Sequence, residues 1–377
     1  MEIKNRKIFL IGTRWFGVIG QSKILINELK RNNIDVFIFG QKDSYYHQFK
    51  IKGVTLRELR VKSSYFAPIS DTFDILNIIF CIIKYSPIAI HTFNPKPALL
   101  GYFSILLFKN IKLFIAQTGM GNIFTKKKYL IPFITFLLKK ATERSEYVFF
   151  HNKYDANLLL EKEIIIKEKI VYIGPCVDVK NFLRDSNINK KNYTQVICIA
   201  RLLKQKGVIE FIEVAKKFKN QLNKKTIKFL LIGEIENHHS DRIDKNYILQ
   251  AEAEGFINRV LWTDDIKSYL HQSDILFLHS YREGGPRVIV EAAASAIPTI
   301  GSDAIGVRDL IINNKTGFIT EPKNIEMAFI AVNELINNKN KREEFGNNAL
   351  NLIAKPISLE KATEVQIQHY LKANLFS

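Results

Sequence analysis

The stretch His-Ser-Tyr-Arg-Glu-Gly-Gly-Pro-Arg-Val-Ile-Val-Glu at residues 279–291 decides the predicted fold. It follows an apolar run at 275–278 that is typical of a buried parallel strand, and it leads into an apolar-periodic segment at 288–296 that predicts a helix. The Gly-Gly-Pro turn at 284–286 allows a tight turn and a close approach to a ligand, and its proline suits the first helical position. A helix therefore begins at the carboxyl end of a strand, where it attracts phosphate or another anion.

Two carboxylates flank this expected anion site. Glu283 precedes the helix, and Glu291 lies five residues past the proline, about 7.5 Å along the helix at about 1.5 Å per residue. A phosphate at the helix start would leave one carboxylate on each side, and carboxylates accept hydrogen bonds from vicinal hydroxyls. A sugar on one side and a ribose on the other fit this arrangement. The alternative is a loop glutamate and a helix-surface glutamate at chance spacing.

This pattern of Glu, seven residues and Glu resembles the donor-binding signature of the retaining glycosyltransferases of family 4. Arg201 and Lys206, just past an apolar strand at 195–200, resemble the cations that hold the donor diphosphate in that family. An arginine can bind two oxygens in a fork, and a lysine acts as a point charge. Without the second signature, such a basic pair would be read as a solvated surface.

The resemblance implies an α/β chain with the GT-B fold, in which two Rossmann-like doubly wound domains face a cleft. The alternation of apolar runs with helical segments agrees with this fold class. We expect an N-terminal acceptor-binding domain at 1–185 and a C-terminal nucleotide-sugar-binding domain at 186–358. The last helix, in about 359–377, would cross back onto the first domain, as it does in relatives.

Composition is consistent with a globular protein of two domains, since the chain has 377 residues, of which 47% are hydrophobic. No apolar run reaches the about 18 residues that a membrane span needs. The N-terminus has no apolar signal core, and Cys81, Cys176 and Cys198 form neither an even disulfide set nor a metal spacing. We therefore expect a cytoplasmic protein. One interpretation is that it binds peripherally to the cytoplasmic face of the inner membrane.

The net charge of +18 is concentrated in the first half. Residues 1–180 contain 28 Lys and Arg against 14 Asp and Glu, and the remainder contains 27 against 23. A basic surface attracts anionic lipid, phosphorylated substrates or nucleic acid, but the alternative is a lysine-rich solvated surface. Three lysines at 126–128 precede the apolar segment 129–140, which predicts either a surface helix on anionic lipid or an ordinary domain helix. No aromatic-plus-basic RNA signature or zinc spacing supports a nucleic-acid partner.

The first strand, at 7–11, is followed by a glycine-containing segment at 12–20 that we interpret as a loop, with a helix predicted at 21–31. Loops at the carboxyl ends of strands bind ligands in open α/β sheets. The glycine spacing is not that of a dinucleotide fingerprint. Arg14 and Gly17 are therefore candidates for the acceptor side, with plain loop chemistry as the alternative.

Two further loops, 91–97 and 117–125, resemble those of family 4 enzymes that extend polyprenyl-diphosphate-linked oligosaccharides. Many of these relatives carry a histidine near the reacting sugar, whereas Thr118 stands at the corresponding position here. His91 is an alternative source of that chemistry, or else a hydrogen-bonded structural residue. Lys96 and Gly119 complete the acceptor-side candidates.

The resemblance implies retaining transfer of a hexose or N-acetylhexosamine from a nucleotide diphosphate sugar, expected to be UDP-linked, to a hydroxyl of a lipid-linked glycan in bacterial surface polysaccharide synthesis. The catalytic candidates are Glu283, Arg201 and Lys206. The donor-binding candidates are Gly284, Gly285, Pro286, Arg287, Glu291, Gly233 and Tyr281. The chain has no Asp-X-Asp motif, so we expect no cofactor and no metal requirement, because cationic side chains would replace the divalent ion beside the diphosphate. The rival hypothesis is a non-catalytic nucleotide-sugar-binding subunit of a glycan assembly complex.

Overall fold

The computed structural model describes residues 6–43, 53–61, 67–120, 131–184, 192–236 and 239–376. It divides into two compact units: unit 1 comprises Met1–Cys176 with Leu359–Ser377, and unit 2 comprises Val177–Ser358. The division precedes the predicted boundary at residue 185 because the short helix Val179–Phe182 packs on unit 2. The carbonyl of Phe182 accepts a hydrogen bond from Ser295 Oγ at 2.9 Å. Most of the polar stretch in which we expected the boundary, 185–191, lies outside the described residues.

Unit 1 contains a seven-stranded parallel sheet in the order β3-β2-β1-β4-β5-β6-β7. Its strands are β1 (Arg6–Arg14), β2 (Ile34–Gln41), β3 (Val54–Glu58), β4 (Ala89–Phe93), β5 (Lys112–Gln117), β6 (Tyr147–Phe150) and β7 (Ile170–Tyr172). Its helices of more than one turn are α1 (Trp15–Arg31), α2 (Pro68–Tyr85), α3 (Pro95–Ser104), α4 (Ile131–Arg144), α5 (Lys153–Glu161) and the last helix, α14 (Leu359–Lys372).

The alternating side chains of the strands divide the core of unit 1 into two layers. Phe9 and Ile11 of β1 pack with residues of α2, α3, α4 and α5, whereas Ile8 and Leu10 pack with α1 and α14. Alternation places successive side chains on opposite faces of a sheet. Four consecutive helices therefore share one face of the sheet, and α14 shares the other face with α1, within the unit that the sequence predicted.

Unit 2 contains a six-stranded parallel sheet in the order β10-β9-β8-β11-β12-β13. Its strands are β8 (Thr194–Ile199), β9 (Ile227–Ile232), β10 (Asn258–Val260), β11 (Ile275–Leu278), β12 (Thr299–Ser302) and β13 (Gly317–Thr320). Its helices are α6 (Val179–Phe182), α7 (Val208–Lys217), α8 (Lys219–Asn223), α9 (Lys245–Ala253), α10 (Ile266–His271), α11 (Arg287–Ala294), α12 (Ile325–Asn337) and α13 (Lys339–Ala349). The prediction of two Rossmann-like domains is confirmed.

The predicted loop at 12–20 is wrong. Strand β1 continues to Arg14 and α1 begins at Trp15, so Gly17 lies in the first turn of a helix. The buried face of that helix starts with Trp15 and Val18, and the indole Nε1 of Trp15 donates to the carbonyl oxygen of Arg57 at 3.1 Å. The apolar period that defines the helix thus begins earlier than the predicted start at residue 21, across the glycines that we interpreted as a loop.

The segment predicted at 129–140 is the helix α4, Ile131–Arg144. Its lysine-rich approach at 126–128 lies outside the described residues. Within the described ranges, none of the helices combines the length and the apolar character that crossing a bilayer requires.

Candidate functional site

The turn from β8 into α7 carries Arg201 and Lys206 and is tightly fixed. It contains a single 3-10 turn, Lys204–Lys206, and ends at Gly207, whose φ is +72°. A Cβ atom at position 207 would lie 2.5 Å from the carbonyl oxygen of His279. Glycine is therefore required twice, for the left-handed backbone and for the close approach to the end of β11.

Asp241 holds the same turn from the other side. Its carboxylate accepts a hydrogen bond from the backbone N–H of Gln205 at 2.8 Å, and its carbonyl oxygen accepts one from the N–H of Lys204 at 3.0 Å. The carbonyl of Gln205 in turn accepts from the N–H of Tyr281 at 2.9 Å. The cationic turn is thus joined by backbone hydrogen bonds to the loop that leads to Glu283.

Glu283 is fixed by a third loop, the one that follows β12. Its N–H donates to the carbonyl oxygen of Ile305 at 2.9 Å. At Gly306, where φ is +79°, a Cβ atom would lie 2.3 Å from the carbonyl oxygen of Glu283. Three loops at the carboxyl edge of the unit 2 sheet therefore contact one another around this glutamate.

Lys206 and Glu283, both predicted as catalytic candidates, form an ion pair. The distance from Lys206 Nζ to Glu283 Oε1 is 2.5 Å, and each side chain is 16% exposed. Because both side chains are partly desolvated, their charges attract each other more strongly than they would in bulk water. Arg201 is exposed, and its guanidinium has no recorded hydrogen-bond or ion-pair partner among the described residues.

Tyr281 contacts a glutamate that the sequence analysis missed. Its hydroxyl donates to Glu210 Oε1 at 2.5 Å, and burial, followed by this hydrogen bond, raises the pKa of Tyr281. Glu210 lies in the first turn of α7 and is only 4% exposed. The ammonium group of Lys323 lies 5.1 Å from the centroid of the tyrosine ring. Tyr281 is thus held between α7 and a lysine of the loop after β13.

The sequence predicted Pro286 as the first residue of helix α11. In the structure Pro286 is the N-cap, and the helix begins one residue later, at Arg287. Neither Gly284 nor Gly285 has a positive φ. The backbone conformation therefore does not require glycine here, and what glycine contributes is the absence of a side chain. Burial raises the pKa of Glu291, and the charge of Arg287 opposes that shift. The two side chains are 3.8 Å apart, from Arg287 Nε to Glu291 Oε1.

Gly233, another donor-side candidate, follows β9 at the same edge of the sheet. Its N–H donates to the carbonyl oxygen of Val260 at 3.1 Å, and a Cβ atom there would lie 2.1 Å from the carbonyl oxygen of Ala200. Since Ala200 directly precedes Arg201, the glycine allows the two strand ends to approach each other. Its contacts indicate a packing role beside the cationic turn.

The acceptor-side candidates of unit 1 start at the end of β1. Arg14 is exposed and is the N-cap of α1, and a Cβ atom at Gly17 would meet no atom within 4 Å. The N–H of Phe16 donates to the carboxylate of Asp43 at 3.0 Å. This carboxylate stabilises the positive end of the helix. Gly17 therefore presents an open, side-chain-free surface in the first turn of α1.

His91 is a core residue, which favours the structural alternative over a role at the acceptor. It is completely buried, its ring stacks on Phe93 with centroids 4.7 Å apart, and its Nδ1 lies 2.5 Å from the hydroxyl of Tyr370 in α14. Burial lowers the pKa of His91 to about 3. A neutral, completely buried imidazole that contacts Tyr370 of α14 has the surroundings of a structural histidine.

Lys96 is also more enclosed than a binding-loop lysine. It lies in the first turn of α3, is 8% exposed, and its ammonium group pairs with Asp71 of α2 at 2.8 Å. This pair joins two neighbouring helices. The structure therefore shows Lys96 as a residue that joins α2 and α3, and its assignment to the acceptor side stays a prediction.

Thr118 and Gly119 follow β5 and are half-buried. The hydroxyl of Thr118 donates to the side-chain oxygen of Asn94, which follows the neighbouring strand β4. Asn94 has φ +80° and ψ 162°, a conformation that few residues other than glycine adopt and that clusters at functional sites. Asn94 lies in the loop 91–97, and its residue type alone does not indicate this conformation.

The residues that sequence reasoning missed have different signals. The αL position of Gly207 follows from its place between a basic turn and a helix, and the glycine could have been predicted as a cap. Glu210 looks like an ordinary charge in a helical first turn, and Gly306 looks like an ordinary loop glycine. Only the tertiary contacts with Tyr281 and Glu283 identify these two residues.

Comparison with known proteins gives one family match and several full-length relatives. Residues 179–352 match the family model described as glycosyl transferases group 1. A capsular polysaccharide biosynthesis glycosyltransferase of Staphylococcus aureus is 24% identical over 364 residues, which cover 92% of each chain. An N,N'-diacetylbacillosaminyl-diphospho-undecaprenol alpha-1,3-N-acetylgalactosaminyltransferase of Campylobacter jejuni is 24% identical, covering 92% of this chain and 93% of that protein.

The fold is similar to that of solved GT-B structures. The Anabaena protein HepE, solved in complex with UDP and glucose, superposes with a TM-score of 0.77 at 15% identity, over 98% of this chain and 100% of the other. At this identity the likeness establishes the fold alone. The matched segment, 179–352, lies within unit 2 and contains the Lys206–Glu283 pair and both glutamates of the opening signature.

Proposed function

We propose that the protein moves a sugar from a nucleotide diphosphate sugar to a lipid-linked glycan with retention of anomeric configuration. The match of residues 179–352 to the family model described as glycosyl transferases group 1 supports this proposal. We propose a UDP-linked hexose or N-acetylhexosamine as donor, since a structural neighbour was solved with UDP and glucose. The name of the Campylobacter relative includes diphospho-undecaprenol, which supports a polyprenyl-diphosphate acceptor. Such an acceptor would place the protein at the cytoplasmic face of a membrane.

The observation that carries the proposal is the Lys206–Glu283 pair, held by three loops at the carboxyl edge of the unit 2 sheet. Lys206 and the exposed Arg201 would stabilise the charge that grows on the leaving diphosphate, which is the usual way a preorganised cation lowers such a barrier. The approaching diphosphate would compete with Glu283 for Lys206. Glu283 would then accept hydrogen bonds from sugar hydroxyls.

Glu291 would bind the ribose on the other side of the helix start. Burial raises the pKa of Glu291 and Arg287 opposes the shift, so its hydrogen bonds would form in a partly desolvated setting where they are stronger than in water. The Gly284–Gly285 backbone would let the diphosphate approach the N-terminal end of α11, with Tyr281 beside it. These assignments make unit 2 the donor-binding unit.

For retention, we propose that the leaving phosphate accepts the proton of the acceptor hydroxyl on the same face of the sugar. The bond from the anomeric carbon to the diphosphate oxygen breaks, and the bond to the acceptor oxygen forms on the side it vacates. We also propose that the reaction needs no metal ion, because Arg201 and Lys206 supply the cationic charge. The acceptor would lie near Gly17, Thr118 and Gly119 in unit 1.

The test incubates the protein with a panel of UDP-, GDP- and ADP-sugars and a bacterial lipid extract as acceptor. Mass spectrometry detects the nucleoside diphosphate that is released. We expect release from one donor class only, dependent on the extract and unchanged by EDTA. Lys206→Ala should lower kcat/KM by about 10²-fold or more, since a charged group facing the leaving diphosphate is removed. Lys204→Ala is the matched control, because this exposed lysine belongs to the same 3-10 turn.

Equal losses in the Lys204 and Lys206 variants would contradict the assignment of Lys206 to the diphosphate, and loss of activity in EDTA would contradict metal independence. A second candidate, a nucleotide-sugar-binding subunit without catalysis, is favoured by one observation. Thr118 occupies the place of the histidine expected from relatives and is engaged with Asn94. Donor binding without release across the whole panel would support this second candidate.

A further inference from the structure

Helix α2 carries an exposed apolar stripe along its whole length. Its members lie at spacings of four, three, four and three residues, and they are Ile69 (78% exposed), Phe73 (54%), Leu76 (56%), Phe80 (62%) and Ile83 (67%). This spacing places them on one side of the helix, while Ile78 and Ile82 on the opposite side are buried against the sheet. An amphipathic surface helix would normally present polar side chains outwards.

The stripe continues onto the neighbouring elements. Helix α3 packs between α2 and α4, and all three lie on the same face of the sheet. The turn after α3 exposes Leu106 (52%) and Leu107 (88%), and α4 exposes Phe136 (56%). We call these three residues together with the α2 stripe the outer apolar face. Exposed apolar side chains gathered on one face of a unit in this way mark interaction sites.

Cations surround the outer apolar face. The guanidinium of Arg60 lies 5.2 Å from the ring centroid of Phe73, and the ammonium of Lys140 lies 5.8 Å from that of Phe136. Lys84, at the end of α2, is exposed. Lysine and arginine beside exposed aromatic rings are typical of surfaces that meet anionic headgroups.

The carboxylates of α2, by contrast, are engaged on its inner side. Asp71 pairs with Lys96 at 2.8 Å. Asp74 is 2% exposed and accepts a hydrogen bond from the N–H of Arg60 at 2.8 Å. Glu143 of α4 is exposed but is paired with Lys140 at 2.8 Å. Neither of the two carboxylates of α2 itself is therefore exposed on the outer apolar face, and the nearest exposed carboxylate among the described residues that contact α2 is Glu58 at the end of β3.

A basic groove of about 930 Å³ adjoins one end of the outer apolar face. Ile83 and Leu107 belong to both, and the groove is also lined by the cations Arg6, Lys109 and Lys112. Its lining contains no aspartate or glutamate among the described residues. The apolar surface thus leads into a cavity whose charge suits a phosphate-bearing headgroup.

We propose that the outer apolar face docks on an anionic lipid bilayer, with its aromatic and aliphatic side chains in the interface and the flanking cations at the headgroups. A second copy of the chain is a poorer occupant. A two-fold contact brings the same patch of both copies together, so Arg60, Lys84 and Lys140 would face like charges. A bilayer containing anionic lipid satisfies both the apolar stripe and its basic border.

The docking surface deepens the proposed function, because its lipid-linked acceptor would lie in the same membrane. The stripe begins at Ile69, two residues before Asp71, which pairs with Lys96 in the first turn of α3, directly after the loop that carries Asn94. A bilayer along α2 would therefore lie close to that loop. Vesicle binding needs neither donor nor acceptor, so this proposal and the proposed function can fail separately.

The test is flotation of the full chain with vesicles of phosphatidylcholine alone or with about 30% phosphatidylglycerol, a composition that supplies the anionic surface. We expect binding to the mixed vesicles only, and a loss of about tenfold or more in the double variant Phe73→Ser/Phe80→Ser. The matched control is Met327→Ser/Ile330→Ser on α12 of unit 2, where the two side chains are 44% and 57% exposed. This control should bind within about twofold of the parent chain.

Thermal melting of each variant checks that it folds, which we expect because the four substituted side chains are between 44% and 62% exposed. Undiminished vesicle binding by a folded Phe73→Ser/Phe80→Ser variant overturns the proposal, as does an equal loss in the α12 control. Light scattering measures whether the chain is a monomer or a dimer in solution and so distinguishes a bilayer from a second copy as the occupant. If the α2 substitutions dissolve a dimer and leave vesicle binding unchanged, a second copy covers the face and the bilayer proposal is wrong.

Discussion

Glu283 owes its position to residues far away in the sequence. Its partner Lys206 is 77 residues earlier, and its backbone rests on Ile305 and Gly306 of a third loop. A side chain held from several directions loses little conformational entropy when a ligand binds, and this preorganisation favours catalysis by fixed charges. The backbone position of Glu283 therefore depends on Ile305 and Gly306, residues that need not touch a ligand themselves.

Glu210 and Tyr281 provide a test of such positioning. We expect Tyr281→Phe and Glu210→Gln to lower kcat/KM by about tenfold, because a buried hydrogen bond that orients the loop before Glu283 is lost or weakened. The effect should be largely in kcat if the loop orients Glu283 in the transition state. Steady-state kinetics of nucleoside diphosphate release measures both parameters.

The same helix offers a matched control. Glu213 Oε1 accepts a hydrogen bond from the hydroxyl of Tyr247 at 2.5 Å, the same distance as in the Glu210–Tyr281 pair. Tyr247 lies in α9, and neither residue belongs to the three loops around Glu283. Tyr247→Phe should therefore change stability with little change in kcat/KM. Equal kinetic losses in the two tyrosine variants would show that general destabilisation, and not positioning, explains the Tyr281 result.

His91 predicts how stability depends on pH. Burial lowers its pKa to about 3 in the folded chain, whereas an unfolded histidine has a pKa of about 6.5. Between these values the unfolded state binds more protons, so the free energy of unfolding falls as the pH falls. From pH 7 to pH 5 the contribution of His91 should decrease by about 2 kcal/mol.

A non-titrating His91→Gln variant isolates this contribution, because His279, whose pKa burial lowers to about 4, is present in both proteins. Denaturant unfolding at pH 7 and pH 5 should show a larger acid-induced loss in the parent chain than in the variant. The difference between the two losses is the measured quantity. Identical losses would mean that His91 is already protonated, or accessible to water, in the folded state.

At the scale of elements, the sequence predicted local features better than helix positions that depend on tertiary contacts. Strand β11, at Ile275–Leu278, lies where the apolar run indicated, because a short buried strand is defined by its own residues. Helix α2 is not predictable from its pattern, since apolar residues occur on both its buried and its exposed side and obscure the helical period. Helix α1 starts before the predicted residue 21. Its first residue, Trp15, donates a hydrogen bond to a carbonyl oxygen 42 residues away, which the local sequence does not reveal.

The donor side shows the same limit. The candidates Arg201, Lys206 and Glu283 follow from their places at strand ends together with the resemblance to the family 4 signature, and the structure brings the last two into contact. Asn94 and Glu210 could not be identified, because their importance lies in a backbone conformation and a hydrogen bond made by a distant residue. Sequence patterns thus indicated the candidate side chains, whereas the contacts that support them required the fold.

The first turn of α1 allows a prediction that separates stability from acceptor binding. Gly17→Ala should raise the free energy of unfolding by about 0.5–1 kcal/mol, because alanine is a better helix former and its methyl group meets no neighbouring atom. If Gly17 lies against the acceptor, the same variant should lower kcat/KM for transfer. Denaturant unfolding and transfer kinetics are measured on the same preparation.

Gly101 in α3 is the contrasting control for the helical glycine. A Cβ atom there would lie 2.7 Å from Cγ2 of Thr92, so Gly101→Ala should lower stability. A Gly17→Ala variant that is more stable and fully active would remove Gly17 from the acceptor site. A variant that is less stable would contradict the open environment of the first turn of α1.

At the scale of the whole molecule, the two units carry different parts of the proposed reaction. The Lys206–Glu283 pair and the family match lie in unit 2. The outer apolar face lies in unit 1, and residues 1–180 contain 28 basic against 14 acidic residues. Donor chemistry should therefore be insensitive to changes on α2, whereas access to an acceptor in a membrane should depend on them.

This division predicts that the α2 substitutions affect transfer to a membrane-embedded acceptor but not transfer to a water-soluble one. With a lipid-linked acceptor in anionic vesicles, Phe73→Ser/Phe80→Ser should raise the KM for acceptor by about tenfold and leave kcat within about twofold, because docking raises the local concentration of acceptor without changing the chemical step. With a short-chain, water-soluble acceptor the variant should match the parent chain. The Met327→Ser/Ile330→Ser control on unit 2 should match it with both acceptors. An equal loss with both acceptors would place Phe73 and Phe80 in the support of the acceptor site itself, because a lost membrane contact cannot affect a reaction that takes place in free solution.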